Sequence, residues 1–148
     1  MGLGSGPLRR AGFAEVIVDS SALIAIIRQE ADAGYYLDLL EESVPLQMSV
    51  ANFLEAAIVA DASDDPSIPR RFDDLIRFSE IQLQAVTEEQ VRVARAAYRD
   101  FGRGSGHQAR LNFGDCFAYA LARSTSEPLL YKGKDFTHTD VKSVVGER

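Results

Sequence analysis

Val16-Ile17-Val18-Asp19-Ser20-Ser21 is the stretch that organises the rest of the chain. Three β-favouring apolar residues precede a carboxylate and two hydroxyls, and a helical pattern of apolar residues follows at once. This order predicts a buried strand at about 15–19 that carries Asp19 at its carboxyl end, with Ser20 or Ser21 capping the next helix. Ligands of open α/β sheets bind at the carboxyl ends of strands, so Asp19 is a candidate site residue. Taken alone, the same pattern is equally consistent with Asp19 acting only as a helix cap.

The bulk properties predict one cytoplasmic globular domain. A chain of 148 residues is long enough for one domain with its own core. The single cysteine excludes an internal disulfide framework and fits a reducing compartment. No apolar run is long enough to span a bilayer, so we expect no membrane association. Residues 1–14 are glycine-rich and predict a flexible N-terminal extension, with the domain at 15–148.

Predicted strands alternate with predicted helices along the chain. We expect strands at about 15–19, 45–48, 81–86 and 129–131, and helices at about 21–29, 31–42, 49–60, 70–79, 87–101 and 112–124, with Val141 and Val144-Val145 as a further edge strand. This alternation predicts an α/β fold, in which a central, mainly parallel sheet lies between two helical layers.

Asp115 is the only charge in an otherwise apolar predicted helix, Leu111 to Ala122. A helix that is apolar on nearly every side is buried, and a buried carboxylate needs a partner or a metal. The competing interpretation is structural, because Asn112 and Asp115 have the spacing of a capping box.

Glu55 and Asp135 complete a set of four candidate acids. Glu55 falls beside the predicted apolar stripe of its helix (Val50, Phe53, Leu54, Ala57 and Ile58), and Asp135 follows a predicted strand. Each is also consistent with an ordinary exposed acid. Converging carboxylates raise one another's pKa unless a cation neutralises them, and oxygen ligands suit Mg²⁺ or Mn²⁺. The net charge of −6 argues against nucleic-acid binding driven by charge alone, but a metal-binding acid cluster is itself acidic.

Other chemistries fit the sequence less well. His107 and His138 have no zinc-ligand spacing with Cys116, which is expected to be a small core residue. Neither a serine nucleophile elbow nor a Walker A sequence is present. The glycine-rich stretch 102–106 follows a helix, so it is not a dinucleotide loop. It predicts either a mobile loop with Arg103, His107 and Arg110 available for phosphate, or a plain connector.

Four stretches together resemble the PIN-domain family, and more narrowly the VapC toxin ribonucleases of bacterial toxin–antitoxin pairs. They are Val-Ile-Val-Asp-Ser-Ser-Ala-Leu at 16–23, the helix that carries Glu55, Leu-Asn-Phe-Gly-Asp-Cys-Phe-Ala-Tyr-Ala-Leu-Ala at 111–122, and Pro-Leu-Leu-Tyr-Lys-Gly-Lys-Asp-Phe at 128–136. The resemblance covers about 15–145. It implies a Mg²⁺-dependent endoribonuclease that cleaves RNA phosphodiesters with metal-activated water.

The resemblance also implies roles for individual residues and partners. Asp19 and Asp115 match the family's principal metal-binding acids, and Glu55 matches the second acid of the cluster. Many relatives carry an acid where this chain has Gly133, so Asp135 either takes that fourth catalytic role or only shapes its loop. The expected partners are an RNA substrate, a VapB-type antitoxin with a basic side chain for the acidic cleft, and a second copy in a homodimer.

Two other functions compete with the nuclease. The same fold could bind RNA or a protein partner with little or no cleavage, and Gly133 keeps that alternative open. A phosphoacceptor signalling domain also has an aspartate at a strand end, but it needs an acidic pair after the first strand, where this chain has Ser20-Ser21.

Overall fold

The computed structural model describes residues 14–42 and 45–144, and within them a four-stranded sheet alternates with six helices. The strands are β1 (Val16–Val18), β2 (Leu46–Ser49), β3 (Gln82–Gln84) and β4 (Leu129–Leu130). The helices are α1 (Ser20–Ile27), α2 (Ala33–Glu42), α3 (Val50–Asp61), α4 (Ser67–Ser79), α5 (Glu88–Phe101) and α6 (Phe113–Thr125). No helix in these two ranges is long and apolar enough to cross a membrane.

The sheet order is β3-β2-β1-β4, and all three strand pairs are parallel. Val16 pairs with Leu46 on one side of β1, and Ile17 pairs with Leu129 on the other. The chain therefore builds the sheet outward from β1 to β3 and then returns to the opposite side of β1. Such a reversal opens a crevice at the carboxyl ends of the two strands on either side of it, β1 and β4 here.

Alternation along β1 divides the core between the two faces of the sheet. Val16 and Val18 pack into a core shared with α1 to α4, whereas Ile17 packs into a second core with α5 and α6. Helices on both faces of a parallel sheet make the three-layer α/β/α architecture, as predicted. The crevice between β1 and β4 consequently receives side chains from helices of both layers.

Three predicted boundaries were wrong or fall outside the described residues. Helix α4 begins at Ser67 instead of about 70, because Pro69 lies in its first turn, where its missing N–H costs no helical hydrogen bond. The C-terminal tail forms a single bridge from Ser143 to Leu129 instead of an edge strand, and Val145 lies outside the described residues. The predicted N-terminal extension lies outside them up to residue 13.

The predicted core face of α3 was wrong in part, although Phe53 and Ala57 pack against the core as expected. Val50, Leu54 and Ile58 are exposed, and the buried side chains are Asn52, Ala56 and Ala60. Small alanines let α3 approach the helices packed against it closely, which a stripe of larger side chains would prevent. Glu55 is half-buried and neighbours Asn52 and Ala56 on the same helical surface, closer to the interior than the sequence pattern indicated.

Candidate metal centre

Asp19 ends β1 and is itself the N-cap of α1. Its Oδ2 accepts a hydrogen bond from the Ser21 amide at 3.0 Å, so the prediction that Ser20 or Ser21 caps this helix was wrong. The two serine hydroxyls are used elsewhere: Ser20 donates to Glu55 Oε1 at 2.6 Å, and Ser21 Oγ accepts from the Lys132 amide at 2.9 Å. The two serines therefore join the first turn of α1 to Glu55 of α3 and to the segment after β4.

The second carboxylate oxygen of Asp19 is buried and unpaired. Asp19 is only 3% exposed, and Oδ1 has no hydrogen-bond partner in the described part of the chain. Burial raises the pKa of Asp19 to about 6, the hydrogen bonds from Ser21 oppose the shift, and the charges of Glu55 and Asp135 add to it. An ionised carboxylate in this position is destabilised until a cation or a donor reaches Oδ1.

Glu55 reaches the crevice from α3 and is held there by hydrogen bonds. Its Oε1 accepts from Ser20 Oγ at 2.6 Å and from Asn52 Nδ2 at 3.3 Å. The Asn52 amide also donates to the Gly114 carbonyl of α6 at 2.9 Å, which joins α3 to α6. A Cβ on Gly114 would lie 2.8 Å from Glu55 Cδ, so a larger residue at 114 would displace the Glu55 carboxylate from this position.

Asp115 enters from the opposite helical layer, in the first turn of α6. The capping box is present, since Asn112 Oδ1 accepts from the Asp115 amide at 2.8 Å and Asp115 Oδ2 accepts from the Asn112 amide at 3.0 Å. Burial raises the pKa of Asp115 well above its usual range, and a hydrogen bond with the Asp135 carboxyl adds to this. The charges of Asp19 and Asp135 raise the pKa of Asp115 further, and the hydrogen bond from the Asn112 amide lowers it. Asp115 therefore has two features at once: it is part of the cap of α6, and its carboxyl group lies near those of Asp19 and Asp135.

Asp135 follows β4 at the same edge of the sheet and is half-buried. Its carboxyl group lies within hydrogen-bonding reach of Asp115 and close enough to Asp19 to raise the pKa of both. Gly133, two residues earlier, has a φ of 107°, a left-handed conformation that an acidic side chain rarely adopts. An acid is therefore disfavoured at position 133, and the acid of this loop is Asp135.

The four predicted acids converge at the β1–β4 crevice, and their chemistry fits a hard divalent cation. All four offer carboxylate oxygens, and in the described residues no Lys, Arg or His side chain forms an ion pair with any of them. In residues 14–42 and 45–144, no three Asp, Glu, His or Cys side chains are already arranged to enclose an ion. Glu55 and Asp115 are turned toward Ser20, Asn52 and Asn112, as their hydrogen bonds show.

Two side chains near the acids have structural roles. Cys116 is buried, and burial raises the pKa of its thiol to about 11, which is unsuitable for a nucleophile and confirms the core assignment. The expectation that His107 is available for phosphate was wrong: its ring packs against Phe101 at 4.9 Å, and its Nδ1 accepts from the Ala109 amide at 3.0 Å.

The residues that position Glu55 were not predicted. Ser20 was considered only as a cap, and Asn52 and Gly114 were not singled out. An asparagine one turn before Glu55 was the available signal, because an amide on the buried side of a helix requires polar partners.

A model of the PIN domain matches residues 16–142, and the chain belongs to the PIN-domain family. Among its relatives are VapC ribonucleases. Ribonuclease VapC28 of Mycobacterium tuberculosis is 53% identical over 133 residues, which are 90% of this chain and 100% of that protein. Ribonuclease VapC42 of the same species is 49% identical over 127 residues, 86% of this chain and 97% of that protein.

Solved structures share the fold at low sequence identity. The crystal structure of VapC20 of Mycobacterium tuberculosis, described as a sarcin–ricin-loop-cleaving toxin, has a TM-score of 0.67 at 16% identity, and the match covers 85% of this chain and 95% of that one. The toxin–antitoxin complex VapBC-5 from the same species has a TM-score of 0.60 at 19% identity, with coverage of 88% and 94%.

Proposed function

We propose that this protein is a Mg²⁺-dependent endoribonuclease that acts as the toxin of a type II toxin–antitoxin pair. The observation that carries the proposal is the convergence of Asp19, Glu55, Asp115 and Asp135 at the β1–β4 crevice, with Asp19 Oδ1 buried and unpaired among the described residues. Structural acids acquire partners within the chain, whereas this cluster has the charge and oxygen donors of a cation site. Similarity to proteins named VapC ribonucleases supports the choice of RNA as substrate.

Asp19 and Asp115 are the proposed principal ligands, with Glu55 as the third. Mg²⁺ in this position supplies positive charge against a phosphodiester and makes water a stronger nucleophile at neutral pH, and Mn²⁺ is a suitable substitute. Asp135 is the proposed fourth catalytic acid, because its carboxyl group shares a hydrogen bond with Asp115. In the absence of a cation, the raised pKa of Asp115 favours its protonated form.

The neighbouring residues position these acids. Ser20 and Asn52 orient Glu55 by donating to Oε1, and the Asn52–Gly114 bond fixes the separation between α3 and α6. Ser21 accepts from the Lys132 amide, which holds the segment after β4 against α1 and so fixes the approach of Asp135. Residues from both helical layers thereby keep four like charges at one edge of the sheet.

The test is RNA cleavage by the purified chain, freed of any antitoxin, with Mg²⁺ or with EDTA. Asp19→Asn and Asp115→Asn are the test variants, since asparagine keeps each cap acceptor and removes the charge. Asp73→Asn, on an exposed position of α4, is the matched control. We expect Mg²⁺-dependent cleavage by wild type and control, and losses in the test variants beyond the roughly 10–100-fold that outer-shell changes cost at metal sites.

The outcomes separate the nuclease from its alternative. Cleavage that continues in EDTA, or in both test variants, contradicts the metal-dependent mechanism. RNA that is bound but left intact by the wild type, with Mg²⁺ and with Mn²⁺, favours a catalytically weak binding module with the same fold.

The proposed partners are a VapB-type antitoxin and a second copy of the chain. Similarity of fold to a toxin–antitoxin complex from Klebsiella pneumoniae (TM-score 0.63) and to VapBC2 from Rickettsia felis (TM-score 0.67) supports the antitoxin. The net charge of −6 and the acidic crevice favour a partner segment with a basic side chain. Light scattering after size exclusion tests both: we expect a dimer mass for the chain alone, and a larger complex once the antitoxin is added.

A further inference from the structure

A basic pocket of about 250 Å³ lies beside the acid crevice. Arg103, Arg110, Lys134 and His138 line it, together with Gln108 and with Asp135 of the acid cluster. The basic pocket and the crevice thus meet at a shared residue, Asp135. In an acidic chain this gathering of three permanent cations at one edge of the site requires an explanation.

One wall of the basic pocket is an ordered loop between α5 and α6. The Leu111 amide donates to the Phe101 carbonyl and the Arg103 amide donates to the Leu111 carbonyl, both at 2.9 Å, so the loop is closed at its base. His107 packs against Phe101 and accepts from the Ala109 amide, which stabilises the loop from inside. The loop therefore presents its arginines from a fixed base.

The backbone at Arg110 supports a binding role for this loop. Arg110 has a φ of 56°, a left-handed conformation that costs a residue other than glycine free energy and often occurs at ligand-binding positions. The opposite wall is the segment after β4, which carries Lys134 next to Asp135. Cations from two separate segments thus face one cavity.

The cations of the basic pocket are not used in ion pairs. In the described residues, Arg103, Arg110 and Lys134 form none within 4.0 Å, whereas Arg77, Arg92 and Lys132 each pair with an acid. Exposed unpaired guanidinium groups are suited to phosphate, which they bind through two parallel hydrogen bonds. An RNA strand approaching four carboxylates also needs compensating positive charge nearby.

We propose that the basic pocket binds a non-scissile phosphate of the RNA strand, adjacent to the one held at the acid crevice, and so sets the position of cleavage. This inference rests on the proposed function and assigns that site a substrate-positioning element. Arg103 and Arg110 grip the phosphate from the α5–α6 loop, and Lys134 completes the contact from the other wall. Phosphate contacts of this kind fix the register of a nucleic acid without reading its sequence.

The test is binding of a fluorescently labelled RNA hairpin by anisotropy in EDTA over a range of salt concentrations, with gels of the same samples to check for cleavage. The test variant is Arg103→Gln/Arg110→Gln/Lys134→Gln. The control variant, Arg70→Gln/Arg77→Gln/Arg95→Gln, removes the same charge at exposed positions that do not line the basic pocket. A third variant, Arg103→Lys/Arg110→Lys/Lys134→Arg, keeps the charge.

We expect the test variant to bind RNA at least about tenfold more weakly than the control. Loss of one phosphate contact reduces the slope of log K against log salt by about 0.7 for single-stranded RNA. The charge-conserving variant retains most of the affinity. With Mg²⁺, the test variant raises KM for cleavage more than it lowers kcat, because a contact to a non-scissile phosphate is equally strong in the bound substrate and in the transition state.

Equal binding by the test and control variants overturns the proposal, whether or not the protein cleaves RNA. The proposal also fails if binding of a poly-glutamate peptide requires these three cations and binding of RNA does not. That result would identify an acidic protein segment as the occupant. If the wild type binds RNA through the basic pocket but never cleaves it, the proposed role of the pocket is supported and the proposed nuclease activity is contradicted. Unchanged circular dichroism of each variant confirms that it is folded.

Discussion

Two clusters of acidic side chains lie at opposite ends of α1, and they differ in whether a cation of the chain pairs with them. Glu30 and Asp32, after the end of α1, share the Lys132 ammonium group, which lies 2.9 Å from Asp32 Oδ1. Asp19, Asp115 and Asp135, at the start of α1 and across the crevice, have no ion pair among the described residues. The first cluster is paired within the chain and the second is not.

Burial separates the two clusters further. The side chains of Glu30 and Asp32 are 35% and 30% exposed, so water also solvates them, whereas Asp19 and Asp115 are 3% and 8% exposed. An acid that is both buried and unpaired costs the folded chain stability, and selection for folding alone would remove it. The difference is what we expect if the crevice acids hold a ligand and the Lys132 cluster has only a structural role.

The largest expected effect is a loss of stability of the metal-free protein as the pH rises. The pKa of Asp19 is raised from 3.8 to about 6 in the folded chain, so the native state retains a proton that the unfolded state releases. The contribution of Asp19 to the free energy of unfolding should be highest below about pH 4 and fall as the pH rises through about 6, by up to about 3 kcal/mol. Asp115 adds to the fall with the same sign.

Urea unfolding in EDTA between about pH 4 and about pH 8 measures this slope, and Asp19→Asn should reduce it. Lys132 should contribute nothing to it, because Glu30 and Asp32 raise its pKa and keep it charged throughout. A wild-type slope that Asp19→Asn leaves unchanged would contradict the comparison.

A substitution at Gly114 should cost about 2 kcal/mol of stability and most of the activity. Alanine is normally favoured over glycine in a helix, but here its Cβ would overlap the Glu55 carboxylate. Glu55 would have to turn away and lose its hydrogen bonds from Ser20 and Asn52, each worth about 1 kcal/mol. Gly34 is the matched control: it is also the second residue of its helix, near the Lys132 cluster, and a Cβ there meets nothing within 4 Å. Thermal unfolding should show Gly114→Ala destabilised and Gly34→Ala stabilised by up to about 1 kcal/mol. Equal effects of the two would mean that the crevice is not closely packed.

Mg²⁺ should stabilise the protein through the crevice alone. At a free concentration roughly ten times Kd, binding to the folded state adds about 1.4 kcal/mol to the free energy of unfolding. Asp115→Asn should lose this increment, because it removes a proposed ligand of the ion. Asp32→Asn, in the Lys132 cluster, should keep the full increment. The measurement is Tm against Mg²⁺ concentration, and an increment that survives in Asp115→Asn would place the ion elsewhere.

The contrast between local and distant contacts explains what could be predicted from sequence. Caps at Ser49, Thr87 and Asn112 use partners two or three residues away. The cap at Asn112 was expected from its spacing with Asp115, and it is present. The alternation of β1 and the strand–helix order likewise predict the layers and place Asp19 at an edge. The orientation of α3, however, depends on the Asn52–Gly114 contact across 62 residues, which no local pattern contains.

The cap of α1 was also predicted wrongly because distant contacts decide it. Aspartate and serine are both good caps, and the choice between them depends on what else can engage the serines. Ser20 is taken by Glu55, 35 residues away, and Ser21 by Lys132, 111 residues away. Only the folded chain brings those competitors together, so the four acids could be identified from sequence while the bonds that orient them could not.

The smallest expected effect comes from Lys132→Met, which removes the cation of the paired cluster. Glu30 and Asp32 would then repel each other, but both are about a third exposed, so water and salt screen them and Tm should fall only slightly, less at high salt. The Lys132 amide still donates to Ser21, so cleavage should be unchanged. Lys132→Met/Asp32→Asn removes the repulsion and should return Tm close to that of wild type.

This variant also tests whether clustering or burial makes a cation site. Lys132→Met leaves two acids without their cation, as in the crevice, but it leaves them accessible to water. If burial is the deciding factor, the variant should gain no stabilisation by Mg²⁺ beyond that of wild type. A second, equally large Mg²⁺-dependent rise in Tm would show that neighbouring exposed acids suffice. The raised pKa values at Asp19 and Asp115 would then not distinguish the candidate metal centre.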